Sequence, residues 1–239
     1  MTKEHERDEK NMKTLIIIPA YNEAENIKRV VDNLIKDYPQ YDYIVVNDGS
    51  RDDTKKICRE NHYNLLDCPV NLGLAGAVQT GFVYAYENGY EAALQFDGDG
   101  QHQPQFIADM LPELMEADIV IGSRFVTESK PKSLRMLGSN VIQVCIKLTT
   151  GVKITDPTSG MRLFNRKMME AFAYNMNYGP EPDTISYLMR CGAKVKEVQV
   201  EMLERVAGES YLNLKRSIMY MLRMCVSILL IQRFRKKWK

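Results

Sequence analysis

Apolar and polar positions along the first half of the chain follow a repeating cycle. The run Thr-Leu-Ile-Ile-Ile over 14–18 shows no polar alternation, as in a strand covered on both faces of a parallel sheet. It stops at Pro19-Ala-Tyr-Asn-Glu. Ile27, Val30, Val31, Leu34 and Ile35 then recur at helical spacing, with Asn22 the expected cap and Glu23 and Glu25 in the first turn. The cycle continues with a strand over 43–47, a helix carrying Ile57, a short strand at 65–66 and a helix over 74–88. A strand ending at Phe96, a helix over 104–117 and a strand over 119–122 complete it. This alternation predicts an α/β domain, a mostly parallel sheet with right-handed crossovers and helices on its faces.

The second half is less regular. A basic loop opens 130–148 and becomes an amphipathic helix. The apolar stretch over 218–231 has fourteen residues and is interrupted by Arg223 and Ser227. A bilayer span needs roughly 20, so an interfacial or partner-packing helix is expected here. The chain divides into a charged, flexible leader at 1–12, a main domain at 13–211 and an amphipathic helical tail at 212–239.

Polar groups gather where the strands end. Tyr21-Asn22-Glu23, Asp48-Gly49-Ser50 and Asp97-Gly98-Asp99 all fall at the C-terminal edge of the predicted sheet, where such folds bind ligands. Asp97 and Asp99 offer two anionic oxygen donors one residue apart, with the Gln101 amide and the His102 ring close behind. That set suits a hard divalent cation sharing its coordination with phosphate oxygens. Asp48 suits a base or ribose, and the three edges together suit a nucleotide. The dinucleotide fingerprint is missing, because Asn71-Leu-Gly-Leu-Ala-Gly lacks its spacing and does not follow the first strand.

Charge refines the picture. Residues 213–239 hold eight Lys or Arg and no acid, leaving 24 basic against 31 acidic side chains in 1–212, a net −7. An acidic body argues against nucleic-acid binding, and the basic tail, with Trp238 among its cations, suits an anionic membrane surface. The same apolar surface also suits a second copy or a small membrane-protein partner. Five scattered cysteines without Cys-x-x-Cys indicate neither a disulfide framework nor a zinc site and fit a reducing compartment.

Six segments taken in order carry a resemblance to a known family. Pro19-Ala-Tyr-Asn-Glu, Val46-Asn-Asp-Gly-Ser-Arg-Asp-Asp-Thr, Asn71-Leu-Gly-Leu-Ala-Gly-Ala, Asp97-Gly-Asp-Gly-Gln-His, Gly122-Ser-Arg and Asp156-Pro-Thr-Ser-Gly-Met-Arg-Leu-Phe are similar to family 2 glycosyltransferases of GT-A fold. The branch is that of dolichyl-phosphate mannosyltransferase and bacterial polyprenyl-phosphate glycosyltransferases. The resemblance implies that 13–211 is a GT-A catalytic domain and that Pro19, Tyr21, Glu23 and Asp48 hold the nucleoside. It implies that Asp97, Asp99 and Gln101 bind Mg²⁺ or Mn²⁺ with the donor diphosphate. It makes Arg124 and Arg205 phosphate-contacting arginines, and Asp156 a candidate catalytic group beside Asp99 and Arg124. Lys130, Lys132 and Arg135 would steer an acceptor phosphate. Where close relatives read Gly-Glu-Ser-Lys, this chain has Tyr211.

The expected reaction is an inverting, metal-dependent transfer of a hexose or N-acetylhexosamine from a UDP- or GDP-sugar to polyprenyl phosphate, at the cytoplasmic face of the membrane. The residues leave two other chemistries open. One is transfer onto a polysaccharide hydroxyl, with Asp156 as base; the other is a Mg²⁺ phosphohydrolase with Asp97 as nucleophile.

Overall fold

β1 (Thr14–Ala20) is buried at all seven positions and forms the spine of the sheet. In a computed structural model, which describes residues 12–204 and 214–235, it lies between β2 (Asp42–Asn47) and β4 (Ala92–Gln95), parallel to both. β3 (Leu65–Asp67), β5 (Ile119–Ser123), β6 (Arg162–Asn165) and β7 (Val195–Gln199) complete a seven-stranded sheet in the order β3-β2-β1-β4-β6-β5-β7. Only β6 runs against its neighbours, pairing antiparallel with β4 and β5. The remaining pairings are parallel.

The helices α1 (Ile27–Asp37), α2 (Thr54–Glu60), α3 (Gly73–Glu87), α4 (Ile107–Met110), α5 (Leu134–Thr150), α6 (Arg166–Glu170), α7 (Pro182–Arg190) and α8 (Leu214–Leu229) cover the sheet. Alternate residues of β1 point into two cores. Leu15 and Ile17 meet Phe82, Phe164 and Phe172 on one face; Ile16 and Ile18 meet Ile27, Val31 and Leu34 on the other.

Three local expectations differ. The helix expected over 104–117 is broken into two 3₁₀ turns and α4, because Pro112 cannot continue an α-helix. Asn22 does not cap α1, which starts at Ile27 after Asn26; Asn22 itself adopts the left-handed conformation at φ 57°. Glu23 and Glu25 therefore precede the first turn. The 1–12 leader apart from Met12, Arg205, Tyr211 and Trp238 lie outside the described residues, as does the side chain of Arg135, near the start of α5.

On the Leu15–Ile17 face, α8 lies across α5, and Met221 occupies the space that a side chain at Gly138 would fill. Leu137, Val141, Val144 and Leu148 of α5 and Met219, Leu222 and Val226 of α8 remain exposed. No helix among the described residues is long and apolar enough to cross a membrane.

Candidate active site

The ends of β1 and β2 are stitched together by side chains that accept backbone protons. Asn22 N–H donates to Ser50 Oγ (3.0 Å), Glu23 N–H to Thr54 Oγ1 (2.8 Å) and Ala24 N–H to Asp52 Oδ2 (3.0 Å). In return, Arg51 N–H donates to Asn22 Oδ1 at 2.9 Å, so Asn22 braces two loops. Pro19 is buried within β1, Tyr21 is exposed at the rim, and Glu23 Oε2 accepts from the Asn26 amide at 2.9 Å.

Asp48 is 2% exposed, and its Oδ1 accepts the Leu72 N–H at 2.6 Å. The Asn71 amide donates to the Asp48 carbonyl at 3.1 Å. Gly49 sits at φ +64°, and a Cβ there would stand 2.7 Å from the Val70 carbonyl carbon and the Asn71 nitrogen. Only glycine fits this turn, which docks the Asn71-Leu-Gly segment onto the end of β2. The four residues expected to hold a nucleoside thus lie along two adjoining strand ends.

Asp97 and Asp99 follow β4, the next strand in the sheet. The Asp97 N–H donates to His102 Nδ1 at 2.9 Å, so the other ring nitrogen carries the proton of a neutral ring and faces Asp97 Oδ2 at 3.6 Å. His102 therefore orients Asp97. Asp99 Oδ1 accepts the Gln101 N–H at 3.0 Å, and Gln101 Nε2 donates to the Leu203 carbonyl at 3.2 Å, so Oε1 is the atom of that side chain that could accept a cation. Across the site a Cβ on Gly160 would stand 2.5 Å from Asp97 Oδ2, so the 156–161 loop closes directly onto the carboxylate. Among the described residues no cluster of three or more His, Cys, Asp or Glu forms a closed metal cage. An oxygen-only pair with positions left for a second oxygen-rich ligand fits a divalent cation shared with a diphosphate.

The same loop carries Asp156, which is fully buried. Arg124 grips it in a two-point pair, Nε to Oδ2 at 2.6 Å and Nη2 to Oδ1 at 2.9 Å. Thr158 Oγ1 adds a bond to Oδ1 at 3.2 Å, so both carboxylate oxygens are committed. Arg124 has five N–H donors, of which Asp156 takes two. The remaining three are available to an anion. Lys130 stands nearby, its Nζ bonded to Ser139 Oγ and Gln143 Oε1 at 3.3 and 3.1 Å. Burial lowers its pKa, while Asp156 and Glu197 pull it back up. Lys130 also lines a cavity of about 260 Å³ with Phe125, Asn140, Gln143 and Lys153.

Beneath the carboxylates, Gln95 and Arg162 are cross-strand partners on β4 and β6. Arg162 donates to the Pro157 carbonyl at 2.8 Å; its Nε, Gln95 Oε1 and Glu181 Oε2 are buried without a partner. Burial lowers the Arg162 pKa, whereas Tyr220, Glu181, Asp156 and Asp97 favour its charge. A buried guanidinium thus lies close to Asp156 and Asp97. Sequence reading missed it because Arg162 lies within a run, Met-Arg-Leu-Phe, that looks like ordinary strand.

Residues 15–172 match the model of the Glycosyl transferase family 2 domain. The chain belongs to this family. This glycosyltransferase is 31% identical over 215 residues to an undecaprenyl-phosphate mannosyltransferase of Micrococcus luteus, covering 84% of this chain and 88% of that one. It is 33% identical over 180 residues to a UDP-N-acetylglucosamine–dolichyl-phosphate N-acetylglucosaminyltransferase of Methanococcus voltae, covering 66% and 71%. Among solved structures, glucosyl-3-phosphoglycerate synthase of Mycobacterium tuberculosis with Mn²⁺, UDP and phosphoglyceric acid superposes with a TM-score of 0.71. That likeness, at 18% identity, covers 98% of this chain and 82% of that one, and shows the GT-A fold of this glycosyltransferase.

Proposed function

We propose that this glycosyltransferase moves one hexose or N-acetylhexosamine from a UDP- or GDP-sugar to a polyprenyl phosphate, with inversion at the sugar. The observation that carries the reading is the 156–161 loop. It meets the Asp97 carboxylate at Gly160 and holds Arg124 at Asp156, so one short segment joins a cation-binding edge to an anion-binding guanidinium. The named activities of the relatives, sugar transfer to undecaprenyl or dolichyl phosphate, support the same acceptor class.

Each group has a distinct part. Pro19, Tyr21, Glu23 and Asp48 line the nucleoside edge, with Arg205 assigned to phosphate from the resemblance alone. Asp97, Asp99 and Gln101 Oε1 would hold Mg²⁺ or Mn²⁺. That cation, when bound, neutralises charge developing on the departing diphosphate. Arg124 faces the acceptor phosphate, with Lys130 as a further cation on that side and Arg135 assigned to the same phosphate from the sequence alone.

No strong base is needed. A phosphate monoester has a second pKa of about 6, so its oxygen is already mostly anionic at neutral pH. That agrees with Asp156, whose oxygens are occupied by Arg124 and Thr158 and which acts here by positioning Arg124.

The exposed apolar rows on α5 and α8 supply a face for the bilayer that contains the lipid, with the exposed Arg223 on α8 and Arg233 just beyond it. We place the protein at the inner face of the cell membrane. The test is transfer of label from a panel of UDP-glucose, UDP-N-acetylglucosamine and GDP-mannose to short-chain polyprenyl phosphate, with Mg²⁺ or Mn²⁺. Metal-dependent label in the organic phase from one donor is expected. Label confined to water for every donor contradicts the reading.

A further inference from the structure

The turn that presents Arg124 is held from outside its own strand. Glu197, on β7, accepts three protons from the 155–156 segment. Thr155 N–H donates to Oε2 at 2.6 Å, Asp156 N–H to Oε1 at 2.8 Å, and the Thr155 hydroxyl lies 2.9 Å from both oxygens. The direction of the next bond follows from proton counting. A hydroxyl has one proton, and that of Thr155 goes to the carboxylate, so the Ser123 hydroxyl donates to Thr155 Oγ1 across their 2.9 Å contact. Ser123 Oγ then accepts the Phe125 N–H at 3.3 Å. A directed chain runs from the backbone beside Arg124 to Glu197.

Two residues along, on the same face of β7, Gln199 completes the grip. Its Nε2 donates to the Arg124 carbonyl at 3.1 Å, and its Oε1 accepts the N–H groups of Val126 and Thr127 at 2.9 Å each. One edge strand therefore fixes both partners of the Arg124–Asp156 pair, Arg124 through its backbone and Asp156 through its amide. Because β7 is paired with β5 in register, Glu197 opposite Ile121 and Gln199 opposite Ser123, the template is set by the sheet itself.

We propose that Glu197 is a positioning residue for acceptor recognition: by fixing Thr155 and Asp156, it sets the angle at which Arg124 offers its free N–H groups to an anionic phosphate. The proposal rests on the reading of Arg124 as an acceptor-phosphate contact. A misplacement of order 1 Å at such a contact costs about 100-fold in efficiency. Glu197→Gln keeps the shape but places an NH₂ group against a backbone N–H or the Thr155 hydroxyl. A loss of about tenfold is therefore expected, carried by the acceptor KM.

Steady-state kinetics with purified full-length protein and short-chain polyprenyl phosphate test this, with donor and acceptor varied separately. Glu197→Gln should raise the acceptor KM about tenfold and move the donor KM less than about twofold. In an Arg124→Met background the same change should add less than about twofold, because the arginine it positions is gone. Thr155→Val, which keeps the shape and removes one link, should move the acceptor KM in the same direction by a smaller factor and serves if Glu197→Gln does not fold.

A normal acceptor KM in a folded Glu197→Gln protein overturns the proposal, and so does a loss that multiplies fully with Arg124→Met. If Arg124→Met itself leaves the acceptor KM unchanged, the assignment of Arg124 falls and takes the relay with it. A large Arg124→Met effect beside a normal Glu197→Gln overturns the relay alone.

Discussion

Gly160→Ala isolates the geometry of the carboxylate edge from the stability of the fold. The backbone at Gly160 has no left-handed φ, so alanine adds a methyl group without backbone strain. That methyl would stand 2.5 Å from Asp97 Oδ2 and 3.3 Å from Asp97 Cγ and Oδ1. Ordinary contact begins near 3.4 Å, so the nearer oxygen must retreat by about 0.9 Å. The group that gives way is the end of a side chain, which keeps the stability cost within about 1 kcal/mol. If Asp97 holds the cation as proposed, a displacement of that size costs about 100-fold in kcat/KM. Initial rates of label transfer read the first effect, and thermal melting by circular dichroism reads the second. A variant that melts normally and turns over within about threefold of wild type refutes the placement of Asp97 at the reacting edge.

Other outcomes follow from the same geometry. Asp99→Ala should abolish turnover and leave the melting curve close to wild type; near-normal turnover would end the assignment of the carboxylate pair. Burial holds the Glu181 carboxyl above its ordinary pKa of 4.5, against the opposing pull of Arg223. The folded protein thus keeps this proton to higher pH than the unfolded chain, and stability falls as pH rises from 4.5 through the folded value. Glu181→Gln should flatten that slope in melts taken between pH 4.5 and pH 7, and an unchanged slope contradicts it. Replacing Leu137 and Leu148 together with Asp removes two exposed apolar side chains from α5. At about 1.5–3 kcal/mol for a fully buried one, even partial insertion predicts at least a tenfold drop in binding to anionic vesicles. Unchanged co-sedimentation contradicts the membrane face.

Much of this architecture is visible in the one-dimensional pattern, for physical reasons that also explain the gaps. β1, β2 and β4 sit in the middle of the sheet, so their apolar runs are unbroken and easily read. β7 is an edge strand reading Val-Lys-Glu-Val-Gln, half-buried throughout, and it lacks that signal. α7 buries Asp183, Thr184 and Ser186, which hides its apolar face, and Asp183 is satisfied by Ser227 at 2.6 Å from a helix some 40 residues away. The carboxylates Asp97 and Asp99 are legible because glycines and a preceding strand frame them. The Arg124–Asp156 pair spans 32 positions, and the bonds from Glu197 to the Thr155–Asp156 segment span 41 and 42. No local spacing can report partners that only the sheet brings together.

The central claim, that the acceptor atom is a phosphate oxygen, is tested most directly by phosphorus NMR of the lipid product across pH. A polyprenyl phosphate monoester has a second ionisation near pH 6, and its phosphorus signal moves through that range. Joining the sugar to phosphate makes a diester and removes that ionisation. The account predicts a product whose phosphorus signal stays fixed from about pH 5 to pH 8. A sugar-bearing lipid whose signal still moves near pH 6 would place the sugar on a hydroxyl and contradict the account.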